Sequence, residues 1–408
     1  MEVVHRRCAG VDVHKKEVVA CVRVASGRGA QHEVRRFRTT TTGLLELSDW
    51  LASFEVTPVA MEATGVYWKP VWHILESSFE LILANAAQIR NVPGRKSDVN
   101  DATWIADLLA HGLIRGSFVA PEPIQELRDL TRTRKQFVRE VAQHGLRVQK
   151  TLEEANIKLS DVISDTLGQS GRAILRAIIA GESDPHELLK HASRRLKAPR
   201  GEIAEALRGS IRSHHRFLLK LHLGQIEALE QSIRDLEARI GESLAPFRAY
   251  AELLKTIPGV SDIVAQTIIA EIGVDMTRFP TSGHLISWAG LCPGLNESAG
   301  KRRSTRVRDG APWLKTVLVQ AAWGATRVKD SYLQAQFLRL RGRRGAKKAI
   351  VAVAASILTA AYHMMQDGTV YEDLTAAHFD LKAKERTAYK LARRLEALGY
   401  HVELREAA

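Results

Sequence analysis

Cysteine is scarce in this chain: three occur in 408 residues, Cys8, Cys21 and Cys292. Their spacings suit neither a disulfide framework nor a zinc ribbon, so a packed core has to hold the fold, in a reducing, intracellular setting. Acid is in deficit too. Asp and Glu number 46 against 59 Lys and Arg, a net charge of +13 with a pI near 9.7, which favours an anionic partner such as nucleic acid or a membrane surface. A long apolar run is also lacking. The longest, Ala349 to Ala361, contains Ser356 and Thr359 and falls short of a bilayer's thickness, so it reads as a buried helix. The N-terminal MEVVHRRCAGVDVHKK has no apolar signal core. The expectation is a cytoplasmic, nucleoid-associated protein with no membrane partner. The remaining composition, 45% hydrophobic and 26% charged, is that of a globular chain long enough for two or three domains.

The first 120 residues alternate between strand and helix patterns. Ala9 to Val13, Val18 to Val24 and Val34 to Thr39 read as strands, with Ser26-Gly27-Arg28-Gly29 as the turn between the second and third. Gly43 to Phe54 has helical spacing, Thr57 to Met61 reads as a strand, Val66 to Leu75 as a helix and Leu81 to Ala84 as a strand. Pro93-Gly94 breaks the chain before a helix that begins near Ser97 or Asp98 and runs to about His111. The order βββαβαβα is that of a ribonuclease H-like domain.

After Pro121 and Pro123 the pattern is helical to about Leu244. Its last stretch carries a heptad, with Leu219, Ile226, Ile233 and Ile240 at one apolar position and His222, Leu229 and Leu236 at the other. Either a second chain or an internal hairpin with the Leu127 to Leu159 region satisfies that stripe. From Leu254, LKTIPGVS precedes a helix over Asp262 to Ile272, a helix-hairpin-helix pattern. Such a hairpin is either a phosphate contact through its backbone N–H groups or a plain connection. The predicted organisation is α/β plus α: 1–120, a ribonuclease H-like domain; 121–246, a helical, coiled-coil middle for oligomerisation; 247–370, a mostly helical domain with the helix-hairpin-helix; and 371–408, a helical tail.

Within this basic chain, four acids stand where they can meet. Asp12 lies inside the first strand pattern and Glu62 closes the fourth, its neighbour in this fold. Asp98 and Asp101 are three apart at a helix start, hence on one face. Four carboxylates gathered together repel unless a cation neutralises them. Oxygen-only ligands select Mg²⁺ or Mn²⁺ and suit phosphodiester chemistry. A second constellation is AGLCPGLNESAGKRRS, with Ser298 followed by Lys301, Arg302, Arg303, Arg306 and Arg308. A hydroxyl beside clustered cations can contact a phosphate or attack one. A further basic run, Arg339, Arg341, Arg343, Arg344, Lys347 and Lys348, is either a phosphate-binding surface or the solvated approach to the Ala349 helix.

GVDVHKK, MEATG, KSDVNDA, TIPGVSDIVAQTIIAEIG and AGLCPGLNESAGKRRS, in this order and spacing, resemble the insertion-sequence-110 family of transposases over nearly the whole chain. The resemblance implies a RuvC-like domain bearing a DEDD set at Asp12, Glu62, Asp98 and Asp101, and a transposase domain with a nucleophilic serine at Ser298. It further implies Mg²⁺ (or Mn²⁺) at the acids, DNA cut and rejoined through a phosphoserine, a structured noncoding bridge RNA as guide, and dimers to tetramers with composite sites. Where the family usually has Ser-Gly, this chain has Ser298-Ala299-Gly300, which leaves Ser304 as the alternative hydroxyl. From the acids alone a metal-dependent nuclease or junction resolvase, with water as nucleophile, fits equally well. A phosphotransferase of the sugar-kinase and actin class wants further glycine-rich phosphate loops after Glu62, and the sequence has none. For a non-catalytic DNA-binding protein, clustered acids are a liability.

Overall fold

The computed structural model describes residues 2–27, 29–85, 98–294, 296–298, 301–304, 306–307, 310–381 and 384–404. The chain divides into two compact units, 1–119 and 120–408.

In the first unit, β1 (Arg7–Val13), β2 (Glu17–Ser26), β3 (Gly29–Arg38), β4 (Pro58–Glu62) and β5 (Glu80–Ala84) form one sheet in the order β3-β2-β1-β4-β5. β1 to β3 are an antiparallel meander, while β4 and β5 run parallel to β1. Helices α1 (Thr41–Ser53), α2 (Trp68–Leu75) and α3 (Asp98–Ala110) complete a ribonuclease H-like arrangement. Period-two alternation sorts β1 onto two faces. Val11 and Val13 join Leu44, Leu47, Leu51 and Leu75 in the main core under α1 and α2. Cys8 lies in the smaller layer with Ile105 and Leu109 of α3. Burial pushes the Cys8 thiol up to about 12 and raises that of Cys21, so neither ionises readily. β3 extends further than its apolar residues predict, because most of it is exposed and its strand character comes from pairing with β2, Ser26↔Gly29 through Glu17↔Arg38.

Among the described residues, the regular structure of the second unit is helical apart from one small ladder. Its frame is a pair of long helices, α4 (Glu122–Glu154) and α5 (Ser213–Ser243). They pack on each other, His144 meeting His222 and Arg134 pairing with Glu237, and so run antiparallel. This internal hairpin is what covers the heptad stripe. Leu219, Ile226 and Ile240 are buried, while His222, Leu229, Ile233 and Leu236 are partly buried. Short helices between Leu159 and Ala206 pack on the far end of this pair in a shared core, including Leu152, Leu159, Ile174, Ile178, Leu188 and Leu223.

Then come α6 (Arg248–Lys255), α7 (Asp262–Ile272), α8 (Ser282–Trp288), the strands β6 (Asn296–Ser298) and β7 (Lys301–Ser304), α9 (Pro312–Ala325), α10 (Tyr332–Arg344), α11 (Ala346–Asp367) and α12 (Lys384–Glu396). α11 is longer than its apolar run predicts, since Tyr362 to Asp367 continue the helix past Ala361. By length and composition it could cross a bilayer. Here it is a core helix, burying Ile350, Val353, Ile357, Leu358 and Ala361 among its neighbours.

A buried ion pair joins α4 to α7. Glu271 is 1% exposed and accepts from Arg132 Nε and Nη2, both at 2.8 Å. Arg128 donates to the Ala270 and Glu271 carbonyls. Arg128 Nε also stands 4.0 Å from Glu271 Oε2. Arg132→Ala removes both short hydrogen bonds to Glu271 but leaves Arg128 as its counter-charge, and is expected to destabilise the second unit by on the order of 2 kcal/mol in urea unfolding.

Candidate active site

The acid site is built by how closely α3 lies on β1. A Cβ added at Gly10 would stand 2.2 Å from the Ala102 carbonyl oxygen and 2.4 Å from the Ala106 nitrogen, so only glycine lets the helix backbone sit there. The helix runs opposite to the strand. Val4 and His5 donate to the Ala110 carbonyl, Cys8 Sγ lies 3.4 Å from the Ala106 carbonyl, and Gly10 faces Ala102. Four helix residues advance about 6 Å, close to the roughly 6.6 Å of two strand residues. The next step therefore brings the N-terminal end of α3, with residues 98 and 101, towards Asp12.

Asp12 shares the Gly10 face of β1. β4 pairs Ala9↔Val59, Gly10↔Ala60 and Val11↔Met61, so Asp12 and Glu62 follow side by side along the two parallel strands, on the face that α3 covers. Asp12 is 5% exposed, whereas Glu62 and Asp101 are partly exposed. The Asp98 backbone opens α3, and its side chain lies outside the described residues. His14, just past the end of β1, places Nε2 3.0 Å from Asp12 Oδ2. The sequence reading gave His14 no role, although its i, i+2 spacing from Asp12 was the available signal. Arg23 and His32 both reach Asp107 of α3, at 2.8 and 3.0 Å, fastening the helix to β2 and β3.

The carboxylates of Asp12 and Glu62 at this end of the sheet offer oxygen donors, the chemistry that suits a hard divalent cation, with the His14 imidazole beside Asp12. Among the described residues no three His, Cys, Asp or Glu side chains stand close enough to form a metal cage. The Asp12 and Glu62 pair fits a hard cation by donor type and by position.

Ser298 lies in the second unit. The stretch read as a loop is a hairpin: β6 and β7 are antiparallel, with Ser298↔Lys301, Glu297↔Arg302 and Asn296↔Ser304, and an irregularity between Asn296 and Glu297. Two residues separate the strands in sequence, the shortest common hairpin connection, which the Gly and Pro content of the region obscured. The bridge Pro293↔Val307 extends the ladder. Ser298 and Ser304 stand at its opposite ends. The side chains of Ser298, Lys301, Arg302, Arg303 and Ser304, and all of Arg308, lie outside the described residues. Arg306 is exposed beside Gly294, whose N–H donates to its carbonyl. Arg341, Arg343, Arg344 and Lys347 are exposed around the junction of α10 and α11. The α10 C-terminus, carrying partial negative charge, favours the three arginines there.

Two stretches of the chain match models of known families. Residues 9–157 match a family model described as a transposase and named for the DEDD set and IS110. Residues 251–339 match a model described as the transposase IS116/IS110/IS902 family. Among curated proteins, an insertion element IS110 uncharacterized 43.6 kDa protein from Streptomyces coelicolor is 27% identical over 320 residues, covering 71% of this chain and 76% of that protein. Among solved structures, RuvC of Thermus thermophilus is similar at 13% identity and a TM-score of 0.23, covering 27% of this chain and 99% of that one. With residues 9–157 and 251–339 each matched by a model of the same family, the chain belongs to the IS110 family of transposases.

Proposed function

We propose that this transposase cuts and rejoins DNA through a phosphoserine at Ser298, assisted by Mg²⁺ (or Mn²⁺) held by Asp12, Glu62, Asp98 and Asp101. The observation that supports the metal part of the reading is the placing of Asp12 and Glu62 on neighbouring parallel strands, on the face that α3 covers. A basic protein that gathers carboxylates there does so at a cost that a divalent cation and a phosphodiester offset. Bound at these acids, such a cation supplies positive charge against the phosphate and the carboxylates together.

The chain's own residues supply the rest. Ser298 Oγ forms a bond to phosphorus as the P–O bond to the departing strand end breaks. The serine proton leaves to a nearby base, and the departing oxygen takes up a proton to become a free hydroxyl. Attack by the hydroxyl of a second DNA end reverses these bonds and frees the serine. Lys301, Arg302, Arg303, Arg306 and Arg308 neutralise the phosphate around the serine hairpin. Arg341, Arg343, Arg344 and Lys347 bind the backbone further along. A structured bridge RNA specifies the DNA by pairing, which suits a protein whose own contacts are to backbones. The working form is a homo-oligomer, from dimer to tetramer.

Labelled insertion-element-end DNA, incubated with the protein and candidate flanking RNA, tests the metal part. Strand cleavage with Mg²⁺, its loss in EDTA, and a fall on the order of 1,000-fold or more in Asp12→Asn or Asp101→Asn are expected. Cleavage that persists undiminished in EDTA contradicts the reading.

A further inference from the structure

Apart from the acids and the serine hairpin, the second unit contains a cleft of about 350 Å³ that neither set of residues uses. Three elements wall it: Thr131 to Arg139 on α4, the α6–α7 hairpin with α7 as far as Glu271, and Trp313 to Ala321 on α9. We propose that this cleft binds a phosphodiester of a nucleic-acid strand, as a backbone site separate from the serine hairpin. The inference rests on the transposase reading above for its class of ligand.

The charge balance of the walls is the first argument. Four cations line the cleft, Arg132, Arg134, Lys135 and Arg139, with one carboxylate, Glu271. Arg132 is occupied by Glu271, and Arg134 by Glu237 outside the cleft. Among the described residues no carboxylate pairs with Lys135 or Arg139. Two positive charges therefore face a concavity with no internal counter-ion.

Preorganisation is the second argument. The Trp313 ring has Arg139 Cζ 5.2 Å and Arg132 Cζ 5.7 Å from its centre. An aromatic face that holds a guanidinium in place lowers the entropy lost when an anion binds to it.

The hairpin wall is rigid as well. Gly259 has φ +84°, and a Cβ there would stand 2.2 Å from the Ala321 carbonyl oxygen, so the turn lies backbone to backbone on α9. Next to it, Ser261 is the N-cap of α7, is exposed, and makes no capping bond with its side chain. That end of the helix adds partial positive charge to the cleft formed by Lys135, Arg139 and Trp313. A phosphate is favoured over an acidic protein segment because the chain is a transposase with a net charge of +13.

The experiment measures affinity against salt for the full-length protein. The probes are fluorescein-labelled duplex DNA of arbitrary sequence, its single strand, and RNA of the same sequence. Each lost phosphate contact lowers the log–log salt slope by about 1. Lys135→Ala/Arg139→Ala is expected to lower the slope by about 2 and affinity on the order of tenfold. Lys150→Ala, an exposed lysine on the same helix, serves as the comparison and is expected to lower it less. The probe that loses most identifies whose phosphate occupies the cleft.

Ser261→Asp separates binding from folding. Aspartate is a good N-cap, so thermal stability is expected to hold or rise while nucleic-acid affinity falls. A slope unmoved in the double variant, with Ser261→Asp also silent, overturns the site and leaves the cleft to an acidic protein segment, without touching the serine reading. A wild type that binds none of the probes overturns the site and the transposition reading together.

Discussion

Gly10→Ala is expected to destabilise the N-terminal unit by about 3 kcal/mol and to lower DNA cleavage on the order of 100-fold beyond any loss of folded protein. The added methyl meets the Ala102 carbonyl oxygen, the Ala106 nitrogen and the Ile105 carbonyl carbon, all within 3.0 Å. These are backbone atoms inside a hydrogen-bonded helix, so no rotamer change relieves the clash, and α3 has to move by on the order of 1 Å to restore van der Waals distance. Its C-terminal half is tied down by Val4, His5 and Cys8, and by Arg23 and His32 through Asp107. The free response is to lift the other end, which carries Asp98 and Asp101, away from Asp12 and Glu62. Urea unfolding and cleavage rate, measured on the same preparation, check both halves. As a control, Gly201→Ala has open space around its Cβ and is expected to be neutral or slightly stabilising. A Gly10→Ala protein with wild-type stability and cleavage would contradict the close-packed account of the acid site.

That dependence on Gly10 shows what could and could not be read from the sequence. The strands and helices of the first unit follow from short-range patterns: alternation over Ala9–Val13, the Leu44, Leu47 and Leu51 spacing, and the break at Pro93-Gly94. Their order was enough to make Asp12 and Glu62 neighbours, as the β1·β4 register does. Nothing local to Gly10 announces that a helix more than 90 residues later rests on it; that is a tertiary fact. The full length of β3 was hidden for a related reason, because an exposed strand defined by its pairing carries little apolar signal. The heptad in α5 specified an apolar partner without saying whose, and the structure gives it α4 of the same chain. At Ser298 the residue types were legible but the β6–β7 hairpin was not, since Gly and Pro dominated the reading and the strands are short.

Ser298→Ala is the substitution expected to have the largest chemical effect: complete loss of any covalent link between protein and DNA. The acids alone leave two chemistries open, because metal-assisted hydrolysis and transfer to a serine make the same demands on Asp12 and Glu62. The two differ in where the phosphorus is bonded after the first cleavage. With water as nucleophile it stays on the DNA as a phosphate end. With Ser298 as nucleophile it bridges Oγ and the DNA, and the bond survives denaturation. Ser304, at the opposite end of the β6–β7 ladder, provides the internal control, and Ser304→Ala is expected to keep the link.

The direct measurement is therefore of the wild-type protein incubated with labelled element-end DNA, Mg²⁺ and flanking RNA, denatured, and resolved for label migrating with the chain. Digestion and mass spectrometry then locate the nucleotide-bearing residue. The account predicts a covalent adduct on Ser298 that is lost in Ser298→Ala and retained in Ser304→Ala. Cleaved DNA without an adduct, or an adduct undiminished in Ser298→Ala, would contradict it.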